Sequence, residues 1–261
     1  MEDLSHYNPE GSTLRRAQLR MLDILLEVDK ICKKHDIPYW LEGGTLLGAV
    51  RHGGFIPWDD DLDISTTLEG YEKMKKFFPQ ELPDRYLLQT QETDEYVFVS
   101  FAKVRDRHSL LYEELWHKVK EQGIFIDIFP SEPMFSLKYK KCLEYIYYNA
   151  YSRSHHRYDS KWKYISGRIL LPFATLFMKT SRFLFRFGQQ RYLYTACGTP
   201  FYREMDSQDL FPLKPIKFEG HWVMGPKDVN AYLTKIFGDY MQLPPEDKRG
   251  SQHASKIEFY D

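Results

Sequence analysis

The feature that most constrains this chain is a run of aspartates that merges into an apolar segment, residues 58–65. Side chains alternate along a β-strand, so Asp61 and Asp63 would point to one side while Leu62 and Ile64 point to the other. One side of such a strand is buried, and the other carries two neighbouring carboxylates. Like charges this close repel unless a cation or a proton lies between them, and Mg²⁺ takes one or two carboxylates together with water and substrate phosphate. The pair is therefore a candidate metal site.

Two simpler interpretations compete with a metal site. An acidic, solvated turn would contain the same residues. A calcium loop would place Asp59, Asp61 and Asp63 at its first, third and fifth positions, but it needs glycine at the sixth position and glutamate at the twelfth. This chain has Ile64 and Gly70 at those two places, which excludes the calcium loop.

A glycine-rich junction precedes the aspartates. A short apolar run meets Gly43-Gly44-Thr45, and residues 46–52 are compatible with one or two helical turns that end in Arg51 and His52. Backbone N–H groups at such a junction can approach an anion closely, and the positive end of the helix dipole faces the same point. Gly-Gly-Thr alone is typical of a plain turn. Followed by Asp-x-Asp on the next strand, it predicts a phosphate cradle beside the metal site.

A third acidic residue, Asp127, stands at the centre of another apolar, β-favouring run, residues 123–130. Burying an unpaired carboxylate is costly, so such a residue usually has a partner. One alternative is a structural aspartate that accepts backbone hydrogen bonds at a strand end. Beside an Asp-x-Asp strand, a third metal ligand is the preferred interpretation.

Hydrophobic periodicity predicts a mixed organisation. Apolar residues recur at three- and four-residue steps in a first helix that begins near Ser12 or Thr13 and ends before Pro38. The remaining predicted elements are strands near 38–43, 61–65, 86–90, 97–104 and 124–129, and a short helix around 69–78. Several strands lack a crossover helix between them. The prediction is therefore an α+β fold, a mixed sheet flanked by helices, and not a doubly wound parallel sheet.

Composition narrows the classes further. The 261 residues are enough to bury a full core, and the net charge of −1 argues against a nucleic-acid partner. Cys32, Cys142 and Cys197 are far apart and odd in number, which favours a reducing cytoplasm. No secretory leader and no apolar run of membrane-spanning length is visible in the sequence, so we expect a cytoplasmic protein.

Two cations end the predicted strand over residues 97–105. Alternation puts Lys103 and Arg105 on the same face as Val97, Val99 and Phe101. Either these cations are solvated where the strand leaves the core, or they contact an anionic substrate. Arginine would then offer a diphosphate a bidentate fork, and lysine a point charge.

Residues 135–197 are rich in aromatic and basic side chains and poor in acids after Asp159. On a helical wheel, four cations fall within about 60° of one another, opposite a group of apolar residues. The cations are Arg168, Lys179, Arg182 and Arg186, and the apolar residues are Phe173, Leu176, Phe177, Phe183, Leu184 and Phe187. Such a helix either packs on the core with a solvated basic back or lies in an anionic membrane interface. The residues alone favour the packed helix.

The C-terminal residues 243–253 contain two consecutive prolines and read as a loop. Lys248, Arg249 and His253 would fold back over the site from this loop. His52 and His253 are both candidate bases, because an unperturbed histidine titrates near neutrality. The sequence does not choose between the two histidines.

The stretch of residues 41–64 resembles the signature of the LicD family, bacterial phosphocholine transferases related to fukutin and fukutin-related protein. The resemblance is carried by Leu41-Glu42-Gly43-Gly44-Thr45-Leu46-Leu47-Gly48, Pro57-Trp58-Asp59-Asp60-Asp61-Leu62-Asp63, Leu88-Gln89-Thr90, Lys103-Val104-Arg105-Asp106, Ile126-Asp127-Ile128-Phe129, Gly238-Asp239-Tyr240-Met241 and Leu243-Pro244-Pro245-Glu246. Only about residues 135–200 lie outside it. Residues 46–60 form a longer insert than simple nucleotidyltransferases have between the corresponding elements.

The resemblance implies a nucleotidyltransferase-like catalytic core over residues 1–134 and a helical insert over 135–200 that contacts the acceptor or a membrane surface. A C-terminal segment, 201–261, would complete the active site. The implied enzyme is a phosphotransferase that holds Mg²⁺ or Mn²⁺ on Asp61, Asp63 and Asp127. Its donor would be CDP-choline or another CDP-alcohol, and its acceptor a hydroxyl of a cell-surface glycan, such as lipopolysaccharide or teichoic acid, or of a lipid-linked precursor. CMP would leave, and contact with the inner face of the cell membrane would be peripheral.

The same resemblance assigns substrate contacts around these ligands. Trp58, Asp59 and Asp60 would bind substrate or orient the water ligands of the metal. Lys103 and Arg105 would contact the diphosphate. Gly43, Gly44, Thr45, Arg51, Lys248 and Arg249 complete the predicted substrate-binding set.

Two other functions stay open at this point. A metal-dependent glycosyltransferase of the Asp-x-Asp kind would use a similar site but would release a nucleoside diphosphate. A glycan-binding module with a metal-stabilised loop would bind the acceptor without turnover. The nucleotide product separates these three functions.

Overall fold

The computed structural model describes residues 4–155, 160–185, 191–196, 198–199, 203–250 and 255–260. The helices are α1 (Thr13–Lys34), α2 (Gly43–Arg51), α3 (Leu68–Glu81), α4 (Leu137–Ser154), α5 (Lys161–Phe185), α6 (Ser207–Leu210) and α7 (Val229–Phe237). The strands are β1 (Tyr39–Leu41), β2 (Asp63–Thr67), β3 (Tyr86–Gln89), β4 (Ala102–Asp106), β5 (Ser109–Tyr112), β6 (Phe125–Pro133), β7 (Tyr192–Thr195), β8 (Glu204–Asp206), β9 (Lys214–Phe218), β10 (His221–Gly225) and β11 (Lys256–Phe259).

Helix α1 follows from its sequence. The Ser12 hydroxyl accepts a hydrogen bond from the Arg15 amide at 3.2 Å, which satisfies one of the unpaired N–H groups at the helix start. The stripe predicted from the periodicity is buried against the sheet and α3: Ala17, Met21, Leu25, Val28 and Cys32. Burial of one large aliphatic side chain contributes roughly 1.5–3 kcal/mol, so packing, more than helix propensity, holds α1 in place.

Seven strands of the described residues form one mixed sheet, in the order β1-β2-β6-β4-β3, with β7 pairing β6 and β8 pairing β7. Only the β2–β6 pair is parallel among these neighbours. Helices α1 and α3 pack on the sheet. The prediction of a mixed sheet flanked by helices is confirmed.

The predicted strand over residues 97–104 is wrong in its first half. Strand β4 begins only at Ala102, and residues 97–101 are irregular. Val97, Phe98, Val99 and Phe101 are all buried in a separate apolar cluster with Trp116 and Phe129. Apolar residues occupy consecutive positions here, so the segment is buried without pairing as a strand. A run of apolar residues cannot by itself distinguish a strand from a buried irregular segment. Strand β2 likewise begins at Asp63, two residues later than predicted.

Helices α4 and α5 form an antiparallel pair inserted between β6 and β7, here called the α4–α5 hairpin. It has its own core, in which Tyr147, Tyr151, Ala174 and Met178 take part. Gly167 permits the close approach, because a Cβ there would lie 2.5 Å from the Ser154 amide nitrogen. No helix among the described residues is long and apolar enough to cross a membrane.

Two further strand pairs lie outside the main sheet. Strands β9 and β10 form an antiparallel hairpin, and β11 pairs with β5. Residues 238–250 are an irregular segment with one 3₁₀ turn, Glu246–Lys248, in agreement with the predicted loop. His253 lies outside the described residues.

Candidate active site

Strand register brings three ionisable side chains into line. The parallel β2–β6 pairing sets Asp63 opposite Asp127, and the antiparallel β4–β6 pairing sets Lys103 opposite the same Asp127. Residues opposite one another on neighbouring strands project from the same face of a sheet. We call Asp63, Asp127 and Lys103 the ionic row. Their neighbours Ile64 and Ile128 are fully buried in the main core, as strand alternation requires.

Asp127 and Lys103 form a buried ion pair. Lys103 Nζ lies 3.0 Å from Asp127 Oδ1 and 3.7 Å from a Glu113 carboxylate oxygen, and it sits 3.2 Å from the centre of the Phe125 ring. Burial raises the pKa of Asp127 to about 6, while Lys103 acts in the opposite direction. Asp127 Oδ1 is buried and accepts no well-formed hydrogen bond from any described residue. The charge on this oxygen is therefore met by the Lys103 ammonium, 3.0 Å away, in an ion pair without a well-directed hydrogen bond.

Asp63 is held by its backbone and surrounded by acids. Its amide donates to Thr45 Oγ1 at 2.8 Å. Burial raises the pKa of its carboxyl group well above the usual range, and the nearby charges of Asp61 and Asp127 raise it further, whereas Arg203 opposes them. The charged form of Asp63 is disfavoured until more positive charge arrives.

The glycine junction lies at the start of α2, as predicted. Gly43 has a positive φ of 51°, and a Cβ on it would lie 2.8 Å from Arg203 Nη1. A Cβ on Gly44 would lie 3.1 Å from Asp59 Oδ2. Glycine is therefore needed here because a guanidinium and a carboxylate both pack against the helix start.

Glu42 and Arg203 are functional-site residues that the sequence analysis did not single out. Arg203 Nη1 donates to Glu42 Oε1 at 2.6 Å. The other carboxylate oxygen of Glu42 accepts from Trp40, Ser65 and Tyr232. Glu42 thus fixes Arg203 beside Asp63. The sequence signal for Glu42 was a carboxylate directly after an apolar run, residues 37–41. Arg203 lies far along the chain, and no local pattern indicated it.

A cleft of about 560 Å³ opens beside the ionic row. Such a volume suits a small ligand. One wall contains Gly44, Arg51, Trp58, Asp59, Asp61, Asp63 and Arg203. The opposite wall comes from the C-terminal part of the chain: Phe237, Asp239, Tyr240, Gln242, Pro244 and Lys248. Arg51 joins the two walls, because its Nη1 donates to the carbonyl oxygens of Tyr240 and Gln242 at 3.1 Å each.

Several predicted site residues occupy other positions. Arg105 is 1% exposed and donates to Gln89 Oε1 at 2.6 Å and to the Gly123 carbonyl at 2.9 Å, so it is enclosed by the protein and does not line the cleft. Asp60 is fully buried. Arg249 donates to the Pro244 carbonyl and lies over the Trp58 ring, 5.5 Å from its centre.

His52 lies apart from the cleft. It lines a separate polar groove with Arg15 and Glu219, and its Nε2 accepts a hydrogen bond from Arg51 Nε at 2.9 Å. Burial, with the neighbouring Arg51 charge, lowers the pKa of His52 to about 4. The imidazole is therefore a weak base at neutral pH. The other candidate base, His253, is outside the described residues.

Two of the three predicted metal ligands, Asp61 and Asp63, line the cleft together. Carboxylate oxygens from Asp61 and Asp63 meet at the cleft, and these are the ligands that Mg²⁺ prefers. Across the described ranges, no group of three His, Cys, Asp or Glu residues stands close enough to form a complete cluster. Asp127, the third predicted ligand, forms an ion pair with Lys103, and its role as a metal ligand stays a prediction. The arrangement fits a two-carboxylate site completed by a ligand, since Mg²⁺ usually binds so.

An open cleft that holds neighbouring carboxylates, here Asp61 and Asp63 at the start of β2, is typical of enzymes that handle anionic substrates. Residues 36–180 match the family described as LicD/FKTN/FKRP, nucleotidyltransferase domain. The chain is also 30% identical to the lipopolysaccharide cholinephosphotransferase LicD of Haemophilus influenzae, over 94% of this chain and 97% of that protein. The chain belongs to the LicD family, which confirms the resemblance seen in the sequence.

Shorter matches agree with this membership. The human ribitol 5-phosphate transferase FKRP is 64% identical over 33 residues, which cover 13% of this chain and 7% of FKRP. A protein of Rickettsia prowazekii is 44% identical over 79 residues, 30% of this chain and 28% of its own length. The predicted relation to fukutin-related protein is confirmed by the FKRP match.

Proposed function

We propose that this protein transfers a phospho-alcohol, preferentially phosphocholine from CDP-choline, to a hydroxyl group of a glycan such as lipopolysaccharide or of its lipid-linked precursor. The observation that carries the proposal is the near full-length similarity to a lipopolysaccharide cholinephosphotransferase. The cleft beside the ionic row supports it, because the cleft combines carboxylates with Arg203, Arg51 and Lys248 in one ligand-sized space.

In the proposed reaction the acceptor oxygen attacks the phosphorus that carries the choline. A new O–P bond forms, the bond from this phosphorus to the bridging oxygen of the diphosphate breaks, and CMP leaves with that electron pair. The acceptor hydroxyl loses its proton. Charge accumulates on the departing phosphate, so positioned cations and N–H donors at this point would lower the barrier.

The residues of the cleft are suited to hold the donor. Lys248 and Arg203 face the cleft as point charge and guanidinium fork, respectively. The α2 start would offer backbone N–H groups to a phosphate oxygen, beside the Arg203 guanidinium that packs against Gly43. Asp61 and Asp63 would hold Mg²⁺ or Mn²⁺, which when bound supplies positive charge to the diphosphate.

Aromatic side chains favour choline as the alcohol. Trp58, Phe237 and Tyr240 line the same cleft. A quaternary ammonium ion is attracted to aromatic ring faces, whereas a neutral polyol such as ribitol gains nothing comparable. Competition between CDP-choline and CDP-ribitol in one reaction would measure this preference, and equal use of both donors would contradict it.

Nucleotide chromatography tests the reaction class. The purified protein is incubated with Mg²⁺, acceptor glycan and either CDP-choline or a UDP-sugar, and a parallel reaction contains EDTA. We expect CMP from CDP-choline only, and only when the divalent cation is present. Release of UDP from the UDP-sugar would establish the glycosyltransferase alternative. Acceptor binding without any nucleotide product would establish the glycan-binding module.

A further inference from the structure

Helix α5 packs through a narrow face of mostly small residues. Its buried positions are Gly167, Ala174, Met178, Ser181 and Phe185, and the face they form meets α4. Because α5 contacts α4 mainly through small residues, most of its Phe, Leu and Trp side chains lie on another, larger face. Contrary to the packed-helix interpretation favoured from the residues, this larger face is not directed at the core.

Eight large apolar side chains of α5 are exposed. They are Trp162 (81% exposed), Phe173 (70%), Leu176 (65%), Ile169 (61%), Phe183 (57%), Leu184 (53%), Leu170 (48%) and Phe177 (44%). At 100° per residue they lie within an arc of about 140°, and the buried face is centred about 120° away. A contiguous patch of this kind on a protein surface usually marks an interaction site.

The apolar arc is bordered by positive charge. Helices α4 and α5 contain nine lysines and arginines, four in α4 and five in α5, and a single acid, Glu144. Glu144 is buried and accepts a hydrogen bond from Lys140. Lys161, Arg168 and Lys179 are exposed, and on the wheel they fall within about 20° of one another along one edge of the apolar arc.

We propose that this face of α5 docks the protein onto an anionic lipid bilayer, with the helix lying in the plane of the interface. Aromatic and aliphatic side chains would enter the headgroup boundary, and the flanking Lys161, Arg168 and Lys179 would extend to the phosphate level. A second copy of the chain is a poorer occupant, because two faces with the same excess of cations repel each other.

The α4–α5 hairpin is directly connected to the strands that carry the candidate active site. It is inserted between β6, which carries Asp127, and β7, and Arg182 of α5 donates to Glu132 of β6, with Nη2 2.8 Å from Oε1. Docking would therefore fix the position of the sheet relative to the bilayer. Lipid binding itself requires neither donor nor acceptor, so its test is independent of the proposed reaction.

Vesicle sedimentation at low salt is the first test. The protein is mixed with vesicles of phosphatidylcholine alone or of phosphatidylcholine with phosphatidylglycerol, and we expect it to sediment only with the anionic vesicles. Replacing Lys161, Arg168 and Lys179 by Gln should weaken binding by up to about 100-fold if all three engage, at about 1 kcal/mol per cation. The matched control replaces three exposed lysines elsewhere, Lys76, Lys214 and Lys217, by Gln and should bind unchanged.

A second variant isolates the apolar contribution. Phe173→Ser with Leu176→Ser alters only exposed side chains and should weaken binding at least about 10-fold. Trp222→Ser, on β10 and 63% exposed, is the control. Failure of the unaltered protein to bind anionic vesicles, or full binding by the double variant, overturns the proposal. Self-association in solution that the double variant abolishes would assign the face to a second copy instead.

Discussion

The ionic row and the α4–α5 hairpin depart from the usual distribution of residues in opposite ways. In the row, charged groups are buried: Asp127 is 9% and Lys103 3% exposed. In the hairpin, side chains that normally form a core are exposed, up to 81% for Trp162. Each arrangement costs free energy in an isolated protein, the first through desolvation and the second through apolar hydration.

The comparison shows what kind of ligand would offset each cost. Buried like charges are stabilised by a cation or by donors brought with a polar substrate, so the row points to a small charged ligand. Exposed apolar surface beside cations is stabilised by an amphipathic surface with negative headgroups. The ionic row buries charge and the hairpin exposes apolar side chains because the two regions are suited to ligands of different polarity and size.

The largest expected effect is on catalysis through Asp61 and Asp63. Asp61→Asn or Asp63→Asn should lower transfer activity by about 10³-fold or more, since each removes a charge from the proposed cation site. Stability should not fall, because the charged form of Asp63 is already disfavoured in the fold. Activity and urea unfolding are both measured, with the exposed Asp84→Asn as control. Full activity of either variant at ordinary Mg²⁺ would refute the cation site.

Asp127→Asn should behave differently from Asp63→Asn. It leaves the Lys103 ammonium buried near Phe125, with the Glu113 carboxylate 3.7 Å away as its nearest remaining anion. Breaking a buried pair from one side costs about 3 kcal/mol, so the free energy of unfolding should fall by that order. Chemical denaturation of Asp127→Asn and Asp63→Asn side by side measures the difference. Equal stability of the two would mean that the Lys103 contact contributes little.

The sequence predicted the acidic part of the site better than its basic part. Strand alternation predicted that Asp61 and Asp63 lie together, and both line the cleft, while Asp127 stood out as a carboxylate in an apolar run. Their role as cation ligands stays a prediction. Lys103 was placed on the correct face by alternation, but its pairing with Asp127 depends on which strands become neighbours. Arg203 contacts Glu42 across a long sequence separation, and no local pattern reports such a contact.

The fold shows the same limit. The start of the long, periodic helix α1 was predicted to within a residue, whereas its end was predicted only as lying before Pro38 and is observed at Lys34. The short strands β7–β11 were not predicted, because a strand of three to five residues is defined by its partner more than by its own sequence. For α5 the wheel gave the apolar face correctly, yet only the packing through Gly167 and Ala174 revealed that this face is exposed.

A smaller effect is expected at the glycine junction. Gly43→Ala combines an unfavourable positive φ with a Cβ 2.8 Å from Arg203 Nη1, and should cost about 2 kcal/mol. Gly11→Ala is the matched control, because Gly11 also has a positive φ, 80°, but open space around it. It should cost about 1 kcal/mol and leave transfer activity intact. If the two variants lose equal stability and equal activity, the contact with Arg203 has no separate role.

The smallest expected effect separates two cations of the hairpin that one helical wheel had grouped together. Arg182 donates to Glu132, a carboxylate that is 2% exposed, while Arg168 is exposed to solvent. Arg182→Gln should therefore lower the free energy of unfolding by about 1–2 kcal/mol, an amount reduced by the partial exposure of the arginine. Arg168→Gln should change it by less than about 0.5 kcal/mol and should instead weaken vesicle binding. Urea unfolding measures the stability of both variants, and vesicle sedimentation measures their lipid binding.

The reverse pattern would have Arg168 needed for stability and Arg182 for lipid binding. It would show that the basic edge of the hairpin faces the sheet, and both this assignment and the membrane proposal would then fail.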